Sequence, residues 1–230
     1  MINQSVLDTF TTDERNRQES IFELIKTESI YVKDLTAIVQ VYLADLIKDV
    51  DDMTIEMIFS NIEDILLLNA TFLSDLELRQ NEQRMYISHI GDLFDKHLSN
   101  LEIYKQYCGN QHKSIKMLQN LQNNNYMISQ RIENMRNNPT CRNLELSTHL
   151  LSPMQRITRY PLLLKQILKY TQGDTEEYTL IEKSEERIEN LLLEINEDVR
   201  FQESHTRLQE IAHSLNVNQK WVYYYLVIVV

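Results

Sequence analysis

An apolar stripe with helical spacing runs through the first part of the chain without interruption. Apolar residues three or four positions apart lie on one face of an α-helix. The members of the stripe are Ile21, Leu24, Ile25, Tyr31, Val32, Leu35, Ile38, Val39, Tyr42, Leu43 and Leu46. Thr11 and Glu14 have the spacing of a capping box, which marks a helix start. The pattern predicts one helix over about residues 13–48, which would be about 54 Å long at 1.5 Å per residue.

The rest of the chain repeats this helical period up to about residue 214. Further stripes predict helical stretches that begin near residue 54 and then cover about 87–121, 126–136, 146–171 and 175–214. The 230 residues include only three Gly and three Pro, so few tight turns are available. These observations predict an all-α, elongated domain. Residues 216–230 are aromatic and β-branched instead, which predicts a short strand.

The charge balance argues against several classes of partner. The formal net charge is −11, whereas nucleic-acid binding needs a cationic surface that displaces phosphate counterions. Simple adhesion to anionic lipid is disfavoured for the same reason. No secretory signal precedes the first helix, and no run of about 18 apolar residues is present. We therefore expect a cytoplasmic protein without a transmembrane segment, whose membrane association is at most peripheral.

Motifs for metal, cofactor and nucleotide binding are missing from the sequence. Cys108 and His112 have half of a zinc-site spacing, but no second compact pair accompanies them. Neither a H-E-x-x-H motif nor a Gly-rich phosphate-binding loop occurs. We expect no metal site, no cofactor and no covalent catalysis.

Two prolines lie in the otherwise helical segment LSTHLLSPMQRITRYPLLLKQILKYT, residues 146–171. Proline is tolerated in the first turn of a helix, where its missing N–H is not needed. Ser152 and Pro153 therefore predict a helix start, with Ser152 as the N-cap. Pro161 lies inside the predicted helix and is expected to kink or open it locally.

Polar residues interrupt two of the apolar stripes. Gln155, Thr158 and Arg159 lie on one side of the proline-containing helix, and Glu28 lies at the centre of the first stripe. A buried carboxylate without a partner is costly. An internal Glu28–Arg159 ion pair is the favoured explanation, and a contact surface for another protein is the alternative. The two explanations are compatible.

Five sequence blocks, in order, resemble the Dbl-homology (DH) domain of guanine nucleotide exchange factors for Rho-family GTPases. The blocks are ELIKTESIYVKDL (23–35), IFSNIEDILLLNATFLSDLELR (58–79), IGDLFDKHLSNLEIYKQYCGNQ (90–111), LLSPMQRITRYPLLLKQILKYT (150–171) and INEDVRFQES (195–204). The resemblance covers about residues 15–215. It implies an elongated, kinked bundle of about six main helices, preceded by a flexible arm (1–14). The strand-like tail (216–230) follows, without the complete pleckstrin-homology domain that usually comes next.

The resemblance also implies roles for individual residues. Glu28 matches the glutamate that engages switch I of the GTPase, and Arg159 matches a Lys or Arg that supports the same site. Asn196 matches the asparagine that meets switch II. Further positions at or near the interface are Gln155, Thr158 and Arg200.

The implied function is non-covalent nucleotide exchange on a Rho-, Rac- or Cdc42-like GTPase in its GDP-bound or nucleotide-free form. Displacing switch I and re-seating switch II would release Mg²⁺ and GDP, so that GTP can load. Two alternatives remain open: a helical scaffold that binds a GTPase without exchange, and a bundle whose own ends cover the groove. The expected location is the cytoplasm, with recruitment to the plasma membrane or the cytoskeleton left open.

Overall fold

The computed structural model describes residues 11–83 and 86–214, and within these ranges the chain forms eight α-helices and no strand. The helices are α1 (Thr12–Ala37), α2 (Asp52–Phe59), α3 (Ile62–Glu82), α4 (Gly91–Leu98), α5 (Ile103–Asn124), α6 (Tyr126–Met135), α7 (Leu146–Leu168) and α8 (Glu176–Ser214). Short 3₁₀ turns cover Ser99–Glu102 and Pro139–Cys141. The all-α prediction is confirmed. Most of the predicted arm and the predicted strand over 216–230 lie outside the described residues.

The first predicted helix is present and begins at the expected cap. Thr11 Oγ1 accepts a hydrogen bond from the backbone N–H of Glu14 at 3.2 Å. After α1 the chain continues through a π-helical turn (Ile38–Leu43) and a last α-helical turn (Ala44–Leu46). The π-helical turn was not predicted, because the apolar residues keep their spacing across it.

The predicted count of about six main helices is too low because two stretches divide. Ser60, at φ 49° and ψ −134°, ends α2 and separates it from α3. The side-chain amide of Asn61 donates to the carbonyl of Ile103 at 3.0 Å and fixes this corner against α5. The stretch predicted over 87–121 divides into α4 and α5 at the 3₁₀ turn.

None of the described helices is by itself long and apolar enough to cross a bilayer. The pair formed by α2 and α3, bent by 42°, meets the length and composition requirements only when the two helices are taken together. The apolar residues of this pair include Ile58, Phe59, Ile62 and Ile65, which are buried in the core of the bundle.

The helix that contains both prolines begins where the predicted helical stretch 146–171 begins, and not at the first proline. Helix α7 starts at Leu146 with Glu145 as its N-cap, so the predicted start at Ser152 and Pro153 is wrong. The Ser152 hydroxyl is buried without a hydrogen-bonding partner among the described residues, and it caps nothing. Leu146 and Leu150 are buried and anchor the two turns that precede Pro153. Their burial supports those turns despite the missing N–H of the proline.

Helix α7 lies at the centre of the bundle and packs against α1, α5 and α8. A second connection joins α8 to the start of α4. The Glu177 carboxylate accepts hydrogen bonds from the backbone N–H groups of Ile90 (2.8 Å) and Gly91 (3.1 Å). It also lies 3.4 Å from the guanidinium of Arg17 on α1. One buried carboxylate thus caps α4 and connects it to both α8 and α1.

Gly91 is required by the close approach of α4 to α8. A Cβ atom at this position would lie 2.7 Å from Cβ of Leu180 and 3.0 Å from Oε2 of Glu177. We expect Gly91→Ala to lower the free energy of unfolding by about 1–3 kcal/mol, because the two helices would have to separate. Urea denaturation measures this change.

Gly173 provides the matched control, because a Cβ atom there would meet nothing within 4 Å. Gly173→Ala is expected to change the free energy of unfolding by less than about 0.5 kcal/mol. Equal effects of the two substitutions would contradict the proposed role of the α4–α8 contact.

Candidate functional site

A buried ion pair connects α1 to α7. Oε2 of Glu28 accepts hydrogen bonds from Nε (2.9 Å) and Nη2 (2.5 Å) of Arg156, and a third from the Tyr160 hydroxyl at 2.9 Å. The predicted Glu28–Arg159 pair is therefore wrong. Residues 156 and 160 are one helical turn apart and both face α1, whereas Arg159 faces the solvent.

This ion pair is part of a longer hydrogen-bond network through the core. The Tyr160 hydroxyl also lies 3.0 Å from Oδ1 of Asn69 on α3. The Asn69 amide donates to the Tyr104 hydroxyl on α5 at 2.8 Å, and that hydroxyl lies 2.9 Å from the hydroxyl of Tyr31. The network therefore joins four helices, α1, α3, α5 and α7. The guanidinium carbon of Arg156 also lies 4.7 Å from the ring centre of Tyr160, a cation–π distance.

Glu28 is enclosed in the interior of the bundle. Its side chain has no solvent exposure, and Oε1 has no hydrogen-bonding partner among the described residues. Burial raises the pKa of Glu28 above its ordinary value, while the charge and hydrogen bonds of Arg156 act in the opposite direction. No atom of this carboxylate is available to another protein in this structure.

The carboxylate that meets Arg159 is that of Glu23. Its Oε1 lies 3.1 Å from Nη2 of Arg159, and the two side chains are 53% and 51% exposed. Sequence reasoning missed Glu23, which lies five residues before Glu28 and outside the apolar stripe. The sequence did contain a signal for Glu23: a carboxylate outside the apolar stripe is predicted to be exposed and so able to contact another protein.

The neighbouring polar residues of α7 are also at the surface. Gln155 and Thr158 are exposed, as predicted for one side of this helix. The Thr158 hydroxyl donates to carbonyls of its own helix, at 2.9 Å from Gln155 and 3.2 Å from Met154. Leu162, one turn further, is 67% exposed.

Helix α8 borders the other side of this exposed stripe. Nζ of Lys165 on α7 lies 2.5 Å from Oε1 of Glu189 and 3.1 Å from Oε1 of Glu185. Asn196 comes two helical turns after Glu189 and so lies on the same face of α8. Asn196 is exposed, and the same face carries Leu193, which is 62% exposed, and Arg200.

The register of the two helices places Asn196 at the same level as Thr158 along the bundle. Met154 and Val199 line one cavity, while Lys165 contacts Glu189, so α7 and α8 are antiparallel. Seven residues before Lys165 is Thr158, and seven residues after Glu189 is Asn196. The predicted positions thus share one surface, apart from Glu28. We call it the α1–α7–α8 surface: Glu23, Gln155, Thr158, Arg159, Asn196 and Arg200.

This surface combines polar, charged and apolar groups. It offers a carboxylate, guanidinium groups and amides beside the exposed leucines 162 and 193. Exposed apolar residues bordered by polar ones are typical of interaction sites. Across residues 11–83 and 86–214, no three His, Cys, Asp or Glu side chains are grouped so as to hold a metal ion.

Comparison with known proteins gives a match over most of the chain. A family model described as RhoGEF domain matches residues 20–196, which include every residue of the α1–α7–α8 surface except Arg200. Human intersectin-1 is 31% identical over 213 residues, which cover 90% of this chain and 12% of intersectin-1. The chain thus spans about an eighth of the length of that relative.

Solved structures show the same fold. The DH/PH domains of p115-RhoGEF superpose with a TM-score of 0.85 at 25% identity, covering 91% of this chain and 58% of that one. The DH/PH domains of PDZ-RhoGEF, solved in complex with activated RhoA, give a TM-score of 0.82 at 24% identity, covering 91% and 60%.

The buried ion pair makes a stability prediction. Arg156→Met removes the cation and leaves Glu28 buried without a charge partner. We expect the free energy of unfolding to fall by about 3–5 kcal/mol. The additional change Glu28→Gln should recover part of this loss, because no unpaired charge then remains. Urea denaturation of the single and double variants measures both effects.

Arg159→Met on the same helix is the matched control. Its ion pair with Glu23 is half exposed, so its removal should change the free energy of unfolding by less than about 1 kcal/mol. If the two Arg→Met variants lost the same stability, the assignment of Arg156 rather than Arg159 to the core would be refuted.

Proposed function

We propose that this chain, which belongs to the RhoGEF domain family, is a guanine nucleotide exchange factor for a Rho-family small GTPase. A RhoGEF domain is a regulator of GTPases and not an enzyme of covalent chemistry. The observation that carries the proposal is the α1–α7–α8 surface, where residues from three helices that are distant in sequence form one exposed polar and apolar face.

Exchange follows from a difference in affinity. A GTPase holds its nucleotide through Mg²⁺ and two switch segments. A protein that binds the nucleotide-free state more tightly than the loaded state must weaken nucleotide binding by the same factor. Displacing switch I and re-seating switch II would provide this difference, with release of Mg²⁺ and GDP and subsequent loading of GTP.

The structure supports Glu23 rather than Glu28 for the carboxylate role. Glu23 is exposed, lies on the α1–α7–α8 surface and is already paired with Arg159, the basic residue expected to support the site. In the proposal, Glu23 engages switch I, Arg159 orients it, and Asn196 meets switch II. Gln155, Thr158 and Arg200 extend the contact surface.

The partner class rests on the similar structures. The PDZ-RhoGEF DH/PH domains were solved with RhoA, and their fold is that of this chain. We propose a Rho-, Rac- or Cdc42-like GTPase, bound in its GDP-loaded or nucleotide-free form. The cytoplasm, or the cytoplasmic face of a membrane, is where such a partner would be met.

The test is release of a fluorescent guanine nucleotide from a panel of Rho-family GTPases. We expect the 230-residue chain to accelerate release from at least one member. Glu23→Ala and Asn196→Ala should each lower that rate by about 10- to 100-fold, as for truncation of a central interface residue. The thermal midpoint of each variant should stay close to that of the unchanged protein, because both side chains are exposed.

Glu77→Ala is the matched control. Glu77 is an exposed carboxylate on α3, which contributes nothing to the α1–α7–α8 surface, so exchange should be unaffected. Wild-type exchange rates in both Glu23→Ala and Asn196→Ala would reject the residue assignment. GTPase binding without accelerated release from any panel member would instead favour a scaffold.

A further inference from the structure

The turn of α1 between Glu23 and Glu28 is held to α7 by more than the buried ion pair. Nη1 of Arg156 donates a hydrogen bond to Oγ1 of Thr27 at 2.9 Å. Nη2 of the same guanidinium also lies 3.4 Å from the carbonyl oxygen of Leu24. Arg156 therefore contacts three residues within this turn, of which only Glu28 is charged.

The contact with Arg156 fixes the direction of the Thr27 hydroxyl. A guanidinium carries only donors, so the hydroxyl oxygen accepts from it and the hydroxyl hydrogen must go elsewhere. The carbonyl oxygen of Glu23, one helical turn back, lies 2.8 Å from Oγ1, and that of Leu24 lies 3.1 Å away. The hydroxyl thus connects the buried guanidinium to the backbone of Glu23.

The same turn carries the exposed carboxylate of the α1–α7–α8 surface. Glu23 and Thr27 are four residues apart, so their side chains are neighbours on one face of α1. Thr27 is half-buried, whereas Glu23 is exposed and lies 3.1 Å from the guanidinium of Arg159. Residues 23–27 of α1 therefore contact both arginines of α7, the buried one through Thr27 and the exposed one through Glu23.

We propose that Thr27 is a positioning residue, which fixes the α1 turn that carries Glu23 and so holds the Glu23 carboxylate in place for a bound GTPase. This inference rests on the proposed function of Glu23. A group that acts on a bound partner must be held accurately, because a displacement of about 1 Å can cost on the order of 100-fold in rate. The exposed pair with Arg159 is too weak to hold Glu23 alone. The buried guanidinium supplies the fixed point through Thr27.

The variants Thr27→Val and Thr27→Ser separate the hydroxyl from the shape of the side chain. Valine has nearly the shape of threonine, but it can neither accept from Arg156 nor donate to Glu23. We expect Thr27→Val to slow release of a fluorescent guanine nucleotide by about 3- to 10-fold, the equivalent of one hydrogen bond. The assay uses the panel member that responds to the unchanged chain. Thr27→Ser keeps the hydroxyl and should retain most of the wild-type rate.

A double-variant cycle with Glu23→Ala tests whether Thr27 acts through Glu23. When the Glu23 carboxylate is already absent, Thr27→Val should slow release by less than about two-fold further, because no carboxylate remains to be positioned. A general loss of structure would instead slow release by the same factor in both backgrounds.

The backbone carbonyl of Glu23 gives a readout that needs no GTPase. Its carbon NMR signal should move upfield in Thr27→Val, because the carbonyl loses one of the hydrogen bonds that it accepts. Thr36→Val is the matched control, since Thr36 is also half-buried on α1 and donates to the carbonyl of Val32 at 2.7 Å. In that variant the Val32 signal should move while the exchange rate stays unchanged.

Three results would overturn the proposal. The first is an unmoved Glu23 carbonyl signal in Thr27→Val, and the second is the same fold loss with and without the Glu23 carboxylate. The third is a wild-type rate in Thr27→Val while Glu23→Ala is slow. If the unchanged chain accelerates no GTPase, the proposed function fails instead, and the carbonyl signals alone show whether the Thr27 hydroxyl holds this turn.

Discussion

The hydrogen-bonded ion pair between Glu28 and Arg156 determines how α7 is rotated in the bundle. Two buried charges are stable only when their partners are fixed in good geometry, so this pair holds α7 in one orientation relative to α1. An adjoining side of α7 then faces the solvent. Gln155, Thr158 and Arg159 are exposed for this reason, and the candidate surface depends on a contact in which none of them takes part.

Much of this arrangement could be predicted from the sequence, but the choice between two arginines could not. The position of Glu28 in an apolar stripe correctly required a cationic partner. Arg156 and Arg159 are separated by only about 60° around a helix, and both lie at the edge of a wide apolar arc. Tyr160 resolves the ambiguity, because its hydroxyl reaches Glu28 only when Arg156 also faces α1.

Helix boundaries were predicted less well than the helices themselves. The turn at Ser60 and Asn61 contains neither Gly nor Pro, and the turn preference of Ser and Asn is a weaker signal than the apolar stripe that continues on both sides. The error at Pro153 was the opposite one, because a helix start was predicted there and none is present. The local preference of this proline for a first turn was overridden by the burial of Leu146 and Leu150. In both places tertiary contacts outweigh local propensity. Such contacts cannot be identified from one sequence alone.

The two ion pairs of α7 differ in what it costs to break them, and this difference favours separate roles. Breaking a buried pair costs about 3–5 kcal/mol, whereas breaking an exposed one costs about 0–1 kcal/mol. A carboxylate that must leave its own partner to engage another protein should therefore come from the exposed pair. Glu23 and Arg159 meet this condition, and Glu28 and Arg156 do not. On this argument the buried pair sets the geometry of the surface, and the exposed pair is the one available for recognition.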